Sequence, residues 1–382
     1  MDKEINNYCV NFFYSDYARA SSLSYFWLAC CGLYLTNVFA ISPVYVVFSL
    51  TALYIIICFL ASPQKKCTAE LFLLIVLLVF LYSLPLFLSK VSLVINFAMS
   101  LLSIPMTFFL FYRKKVSYKY VIYSIIFFSC LLLIDGVWRL FNPDMSHYDE
   151  WVKLNVGFQI YKVNSLMYID SNYVGIQCVS VFSFLLFIVK SDLSYKKHKS
   201  LMFFAFFVVF MSGVLTFSRA AFVGIVMCIL FFFMGGVNRR LLYFLIPAVI
   251  FIGAALSILF FSGDVSFLSK FYILEKMYSY LISSPINEVI FGVGLGNAVN
   301  FLGIGAHNLF VTFIVETGIL GFSLFLIVLG VFFVKLKYDF LIVGFPFVLS
   351  SMSLGTTAMP YFFTYLTFSY MLRKRLLALT DS

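Results

Sequence analysis

The chain has 382 residues, 63% of them hydrophobic and 11% charged, with 50 Phe and 25 Tyr, which excludes an ordinary water-soluble globular domain. Its net charge of +10 is scattered over short separate segments instead of forming one stripe, which argues against a nucleic-acid partner and for membrane orientation and contact with acidic lipid. The eight cysteines show no CxxC pattern and imply neither a disulfide framework nor a metal site.

Read in chain order, the first segment, "MDKEINNYCVNFFYSDYARAS", is polar and acidic and shows no cleavable leader, so the first helix is expected to direct insertion. Apolar stretches long enough to cross a bilayer follow at about 23–41, 43–61, 70–88, 91–111, 120–138, 168–189, 201–216, 220–236, 241–261, 307–333, 339–355 and 357–371. The expected fold is therefore an all-α polytopic membrane protein of about twelve transmembrane helices, with residues 1–382 forming one integral membrane domain. Short cytoplasmic loops carry an excess of Lys and Arg. With both termini inside, "SPQKKC", "YRKKVSYK", "VKSDLSYKKHK", "VNRR", "VKLKY" and "LRKRLL" all fall in the cytoplasm, and no basic cluster is forced outside.

Two outer loops stand out by length, 141–167 and 262–306, and long loops in compact proteins are usually functional or disordered. The larger begins "SGDVSFLSKFYILEKMYSYLISSP", where Phe267, Phe271, Leu274, Tyr278 and Leu281 recur at helical spacing; this predicts a helix lying on the outer membrane surface. Pro285 ends it. Gly292, Gly294, Gly296, Gly303 and Gly305 then lead down to His307, and with no preceding strand they read as irregular backbone packed between helices, not a phosphate loop.

Candidate site residues gather on this outer side. Arg219, in "VLTFSRAAFVGIVM", stands between two apolar runs, where an arginine costs roughly 2.5–3.5 kcal/mol unless compensated. It reads either as snorkelling to headgroups or as an anion-binding group, and the absence of any loop around it favours the second. Its planar fork suits phosphate oxygens, and Lys270 and Lys276 can add point charges, so the three suggest a pyrophosphate site. His307 and Asn308 open a span, so His307 reads as a reactive or substrate-orienting group, with a purely structural histidine as the alternative. Glu316, about 13 Å deeper and on the opposite helix face, reads as an organiser of neighbouring helices. Further outer candidates are Asp135 with Arg139, Asp170 with Asn172, and His147, Asp149 and Glu150 in "PDMSHYDEW", the last three read as solvated residues, not a metal site.

Three of these stretches together resemble the O-antigen ligase and polymerase superfamily of bacterial surface-polysaccharide assembly: "TFSRAAFVG" (216–224), "SSPINEVIFGVGLGN" (283–297) and "AHNLFVTFIVETGILGF" (306–322), supported by "IDSNYVGI" (169–176). The last is similar to that family's Asp-Pro-Asn segment with Ser171 replacing proline. The resemblance covers about 165–335. It implies a metal-independent glycosyltransferase of the GT-C type in the bacterial inner membrane, needing no cofactor and facing the periplasm, whose substrates are oligosaccharides on undecaprenyl pyrophosphate, with a chain-length regulator as a further candidate partner. It carries the family's SRAA-motif arginine onto Arg219 and its loop-opening histidine onto His307, while the family's second arginine falls on Lys270, with Lys276 the alternative. Within the superfamily the modest outer loop favours the polymerase (Wzy-type) over the ligase, which transfers glycan to lipid A-core. A lipid-linked oligosaccharide flippase is the rival from another class.

Overall fold

The computed structural model describes residues 19–61, 89, 91–112, 114–153, 156–168, 170–191, 198–234 and 265–380. The expected spans at 70–88 and 241–261 lie outside them. Among the described residues the chain is helical, with no strand beyond an isolated bridge between Arg19 and Lys115. In chain order the helices are α1 (Ser22–Cys30), α2 (Pro43–Ala61), α3 (Val91–Phe111), α4 (Tyr118–Phe141), α5 (Tyr148–Lys153), a 3-10 turn (Gly157–Tyr161), α6 (Ser171–Lys190), α7 (Lys199–Leu215), α8 (Arg219–Met234), α9 (Val265–Ser283), α10 (Ile286–Phe291), α11 (Ala298–Leu302), α12 (Leu309–Leu336), α13 (Tyr338–Val343), α14 (Phe345–Ser351) and α15 (Pro360–Thr380). Among the described residues four helices are long and apolar enough to cross a membrane: α3 from Ser92 on, α4, α6 and α12. Shorter apolar helices flank them, and the chain is a helical, membrane-embedded protein.

Composition explains the inside-out look of the bundle. Phe203, Phe207, Phe222, Phe233, Ile327 and Val334 are exposed on α7, α8 and α12, where lipid can cover them. The middle is α6, buried along nearly all of its length and packed by α4, α7, α8, α14 and α15. Small residues let α8 come close: a Cβ on Gly175 of α6 would sit 2.8 Å from the Ala221 Cβ, and one on Gly224 would sit 2.8 Å from the Val179 side chain.

Several expected elements are shorter or broken. The span expected at 23–41 is helical only to Cys30, because Asn37 donates to the Ser165 carbonyl at 2.6 Å and Thr36 donates to that of Met167 at 2.8 Å, which ties the chain down as turns before Pro43 restarts a helix. The span expected at 339–355 is two short helices, α13 and α14, meeting at Gly344. Gly318 interrupts α12, with φ 68 and ψ 179. At the interruption the glycine-rich segment docks: Val293 N–H donates to the Val315 carbonyl at 3.0 Å and Gly294 N–H donates to that of Glu316 at 3.1 Å.

The two ends of the bundle differ chemically. At one end Asp339 accepts from Lys190 of α6 and Arg373 of α15, each at 2.8 Å, and Arg19 bridges Lys115. At the other end lie the start of α6, the turn between α7 and α8, α9 and the start of α12. These carry the candidate site.

Candidate functional site

The turn that presents Arg219 is built from its own sequence. The Thr216 hydroxyl donates to the Gly213 carbonyl at 2.6 Å and accepts from Ser218 N–H at 3.3 Å, which closes the end of α7. Phe217 is forced to φ 51, a left-handed conformation uncommon for an aromatic residue. Its ring stacks on Tyr161 at 5.4 Å, so the 3-10 turn of the smaller outer loop lies against the Arg219 turn.

That loop is held in place by a buried ion pair. Asp135 and Arg139, both about 1% exposed, pair at 3.0 Å on the last turns of α4. Arg139 also donates to the carbonyls of Tyr161 and Leu215, at 2.8 and 2.9 Å. Asp135 accepts from the Ser165 hydroxyl and from Leu166 N–H, each at 2.7 Å. These two residues therefore anchor the 157–168 segment to α4 and α7.

Asp170 caps α6, accepting from Asn172 N–H at 2.8 Å and from its side-chain amide at 3.1 Å. Lys162, a lysine of the smaller outer loop that nothing in the sequence singles out, lies 3.5 Å from the Asn172 side-chain oxygen and is 7% exposed. The Phe158 ring faces both Lys162, at 5.2 Å, and Arg219, at 6.0 Å. Loss of hydration lowers the Lys162 pKa, Asp170 opposes that, and the charges of Arg219, Lys270 and Arg139 reinforce it.

Lys270 reaches in from α9 and donates to the Ser353 carbonyl at 2.8 Å and, more weakly, to that of His307 at 3.4 Å. Its pKa is lowered by desolvation and by Arg219, against Asp170. Lys276 goes elsewhere: its ammonium stands over Tyr272 on the same helix at 5.1 Å, and it is not among the charges acting on Lys162, Lys270 or His307. The apolar face expected along α9 is split. Phe271, Leu274 and Tyr278 are exposed, whereas Ile273, Met277, Tyr280 and Leu281 pack against Val293, Ala298 and Val311.

His307 precedes α12, and its ring folds over Gly305, where a Cβ would sit 2.9 Å from Nε2. The residue is accessible overall, but desolvation of the imidazole and then the Lys270 charge hold its pKa below the ordinary histidine value, with Asp170 pulling upward. Asn308 is buried and caps α12, accepting from Phe310 and Val311 N–H at 2.9 and 3.3 Å. Glu316 is also buried, and its carboxylate accepts from the backbone amides of Gly296 and Ala298, which fixes the glycine segment against α12.

The structure thus brings Arg219, Lys270, His307, Asp170, Asn172 and Lys162 to one end of the bundle, braced by Asp135 and Arg139 below and by Asn308 and Glu316 behind. Lys276 is not part of it. His147 and Glu150 form an exposed pair at 3.4 Å at the start of α5, and among the described residues no group of three or more His, Cys, Asp or Glu is arranged to hold a metal. No protein-family model matches the chain, and no curated protein sequence matches it.

Proposed function

We propose that this protein is a glycosyltransferase of bacterial surface-polysaccharide assembly that polymerises oligosaccharide repeat units carried on undecaprenyl pyrophosphate. The observation that supports this reading is the meeting of Arg219, Lys270 and His307, drawn from α8, α9 and the start of α12, at the bundle end opposite the Lys190, Asp339 and Arg373 cluster. In this reading the bundle has about twelve spans in a GT-C-type arrangement within the inner membrane. The basic end faces the cytoplasm with both termini, the cation cluster faces the periplasm, and α9 lies in the outer interface with Phe271, Leu274 and Tyr278 toward lipid.

The chemistry then needs little from the protein beyond placement and charge. The acceptor hydroxyl oxygen of an incoming unit bonds to the donor's anomeric carbon as the bond from that carbon to the phosphate oxygen breaks. The electron pair of the broken bond departs on polyprenyl pyrophosphate. Arg219 and Lys270 stabilise the charge that develops there. His307, neutral near pH 7, orients the hydroxyl and accepts its proton for release to solvent.

Reconstitution of the full chain with lipid-linked repeat units tests this. A ladder of longer glycans on polyprenyl pyrophosphate is the expected product. Transfer to lipid A-core alone would make it a ligase, and movement across the bilayer without elongation would make it a flippase.

A further inference from the structure

A groove of about 590 Å³ runs between α1 and α4, at the bundle end where Arg19 bridges Lys115. Its walls are aromatic and exposed: Phe26 on α1, and Tyr120, Tyr123 and Phe127 on α4. Its floor is small and buried, formed by Ala29 and Ser124. The Ser124 hydroxyl donates to the carbonyls of Tyr25 and Tyr120, each at 2.9 Å, so its polarity is spent within the bundle and the groove stays almost wholly apolar. Basic side chains stand at the mouth. Lys119, exposed one residue before Tyr120, holds its ammonium 5.6 Å from the centre of the Tyr123 ring. Arg19 and Lys115, also exposed, are kept side by side there, because Ala20 N–H donates to the Lys115 carbonyl at 3.1 Å.

We propose that this groove binds one anionic glycerophospholipid, with an acyl chain along the aromatic walls and the phosphate among Arg19, Lys115 and Lys119. The dimensions suit a chain of a single leaflet: from Tyr120 to Phe127 the groove follows α4 for about 10 Å at 1.5 Å per residue, within half of a hydrocarbon core roughly 30 Å thick. The charge suits an acidic headgroup, since the cations sit at the start of α4, where the apolar span ends, and attract anionic lipid there. A second copy of the chain fits worse. Two copies keep one orientation in a membrane, so a twofold pairing through this face would set the same cations against each other at the same depth. The site lies at the bundle end opposite His307 and does not depend on the proposed glycosyl transfer. A lipid bound there bridges α1, which is only nine residues long, to α4, and stabilises the fold by mass action.

The test titrates the full-length protein in detergent with phosphatidylglycerol or phosphatidylcholine of identical chains, and counts retained lipid by native mass spectrometry. One phosphatidylglycerol should bind about 100-fold more tightly than phosphatidylcholine, because each cation near an acidic headgroup is worth about 5-fold. Lys119→Gln should remove about 5-fold of that preference, and the triple variant Arg19→Gln, Lys115→Gln, Lys119→Gln nearly all of it, with phosphatidylcholine unchanged. Ser22→Trp places a ring in the groove from an exposed position on its lining and should weaken phosphatidylglycerol by about 10-fold. Phe127→Ala removes an exposed wall, keeps the floor, and should weaken it by about 5-fold. Phe203→Trp, on the exposed face of α7, is the control and should change nothing. The melting temperature should rise with phosphatidylglycerol in the wild type and in Phe203→Trp, and stay still in the triple variant.

Equal retention of the two lipids by the wild type would overturn the proposal, because the cations would then select nothing. Phosphatidylglycerol held undiminished by Ser22→Trp and by the triple variant would place the lipid elsewhere, and an equal loss in Phe203→Trp would make it a general coat of the apolar surface; both refute the groove. A lipid-free dimer that Ser22→Trp converts to monomer would assign the groove to a second copy. Undecaprenyl phosphate that displaces phosphatidylglycerol at equal concentration would assign it to the carrier lipid, against the occupant named here. Should Ser22→Trp fail to fold, Lys119→Gln and Phe127→Ala, both at exposed positions, decide the matter by themselves.

Discussion

Gly292 and Gly318 lie backbone against backbone: a Cβ on Gly292 would stand 2.5 Å from the Gly318 nitrogen, and one on Gly318 would stand 2.5 Å from the Gly292 nitrogen. Both have positive φ, 81 and 68, so each is constrained by conformation as well as by space. Neither side can yield, because the atoms that would be struck are main chain. Gly318→Ala and Gly292→Ala should each destabilise the protein by on the order of 2–4 kcal/mol, seen as a lower thermal midpoint in detergent. Gly330→Ala has open space around its Cβ and serves as the control. A Gly318→Ala protein that melts with the wild type would contradict the described docking.

The Asp135 and Arg139 pair gives a second stability prediction with a local signature. Removing one partner of a buried pair leaves the other charge stranded, at about 3–5 kcal/mol. Arg139→Met should thus destabilise strongly and release the 157–168 segment, detected as protease cleavage there at temperatures where the wild type is intact. Cleavage at the same rate in both proteins would mean that the segment is held by other contacts.

For catalysis, Arg219→Ala should cost on the order of 3 kcal/mol in the transition state, over a hundredfold in rate. Arg219→Lys should recover only part of that, since a point charge does not reproduce the planar fork. Glycan length on gels at matched protein levels is the measurement, and normal chains from Arg219→Ala would end the proposed role.

Gly305→Ala should push the imidazole off its position without touching the core, because the group in the way is the His307 ring and not backbone. The expected result is a normal melting temperature with elongation reduced by roughly 10-fold, about 1.4 kcal/mol. A variant with full activity would show that the ring position is unimportant.

The pH dependence follows from the lowered His307 pKa. A neutral imidazole is the competent form, so the rate should be flat above the ordinary histidine value of 6.5 and should fall only as pH drops through a lower midpoint. The sign for stability is the same: the unfolded chain takes up the proton first on acidification, so this contribution is present above 6.5 and is lost as pH falls through the folded value. His307→Gln, which cannot titrate, should remove the acid limb. Retained activity in that variant points to orientation of the hydroxyl, and near-complete loss to proton removal.

The uninterrupted apolar runs, such as 91–111 and 168–189, the latter helical over Ser171–Lys190, were legible because length and hydropathy alone determine them. What hydropathy could not register was a helix end set by a distant partner. The span from residue 23 stops early because Thr36 and Asn37 bond to carbonyls of Met167 and Ser165, more than a hundred residues away. For the site, Arg219 and His307 stood out because polar groups in apolar sequence are rare. Lys162 did not, since a lysine in an outer loop looks solvated until the 3-10 turn folds it under Phe158. Lys270 and Lys276 are alike in type and only the resemblance ranks Lys270 first; the reach of α9 toward Ser353 separates them physically.

The break in α12 also bears on assembly. In hydrocarbon an interrupted helix is tolerable only if its freed carbonyls find donors, and those of Val315 and Glu316 find them in the amides of Val293 and Gly294. The donors precede the acceptors in the chain, so during synthesis the glycine segment has already emerged when the second half of α12 leaves the ribosome. The segment thus acts as a template: α12 can bend only where a partner already waits, and the piece after a cut between residues 297 and 307, expressed alone, should form a straight, misplaced helix that co-expression of the first piece would correct.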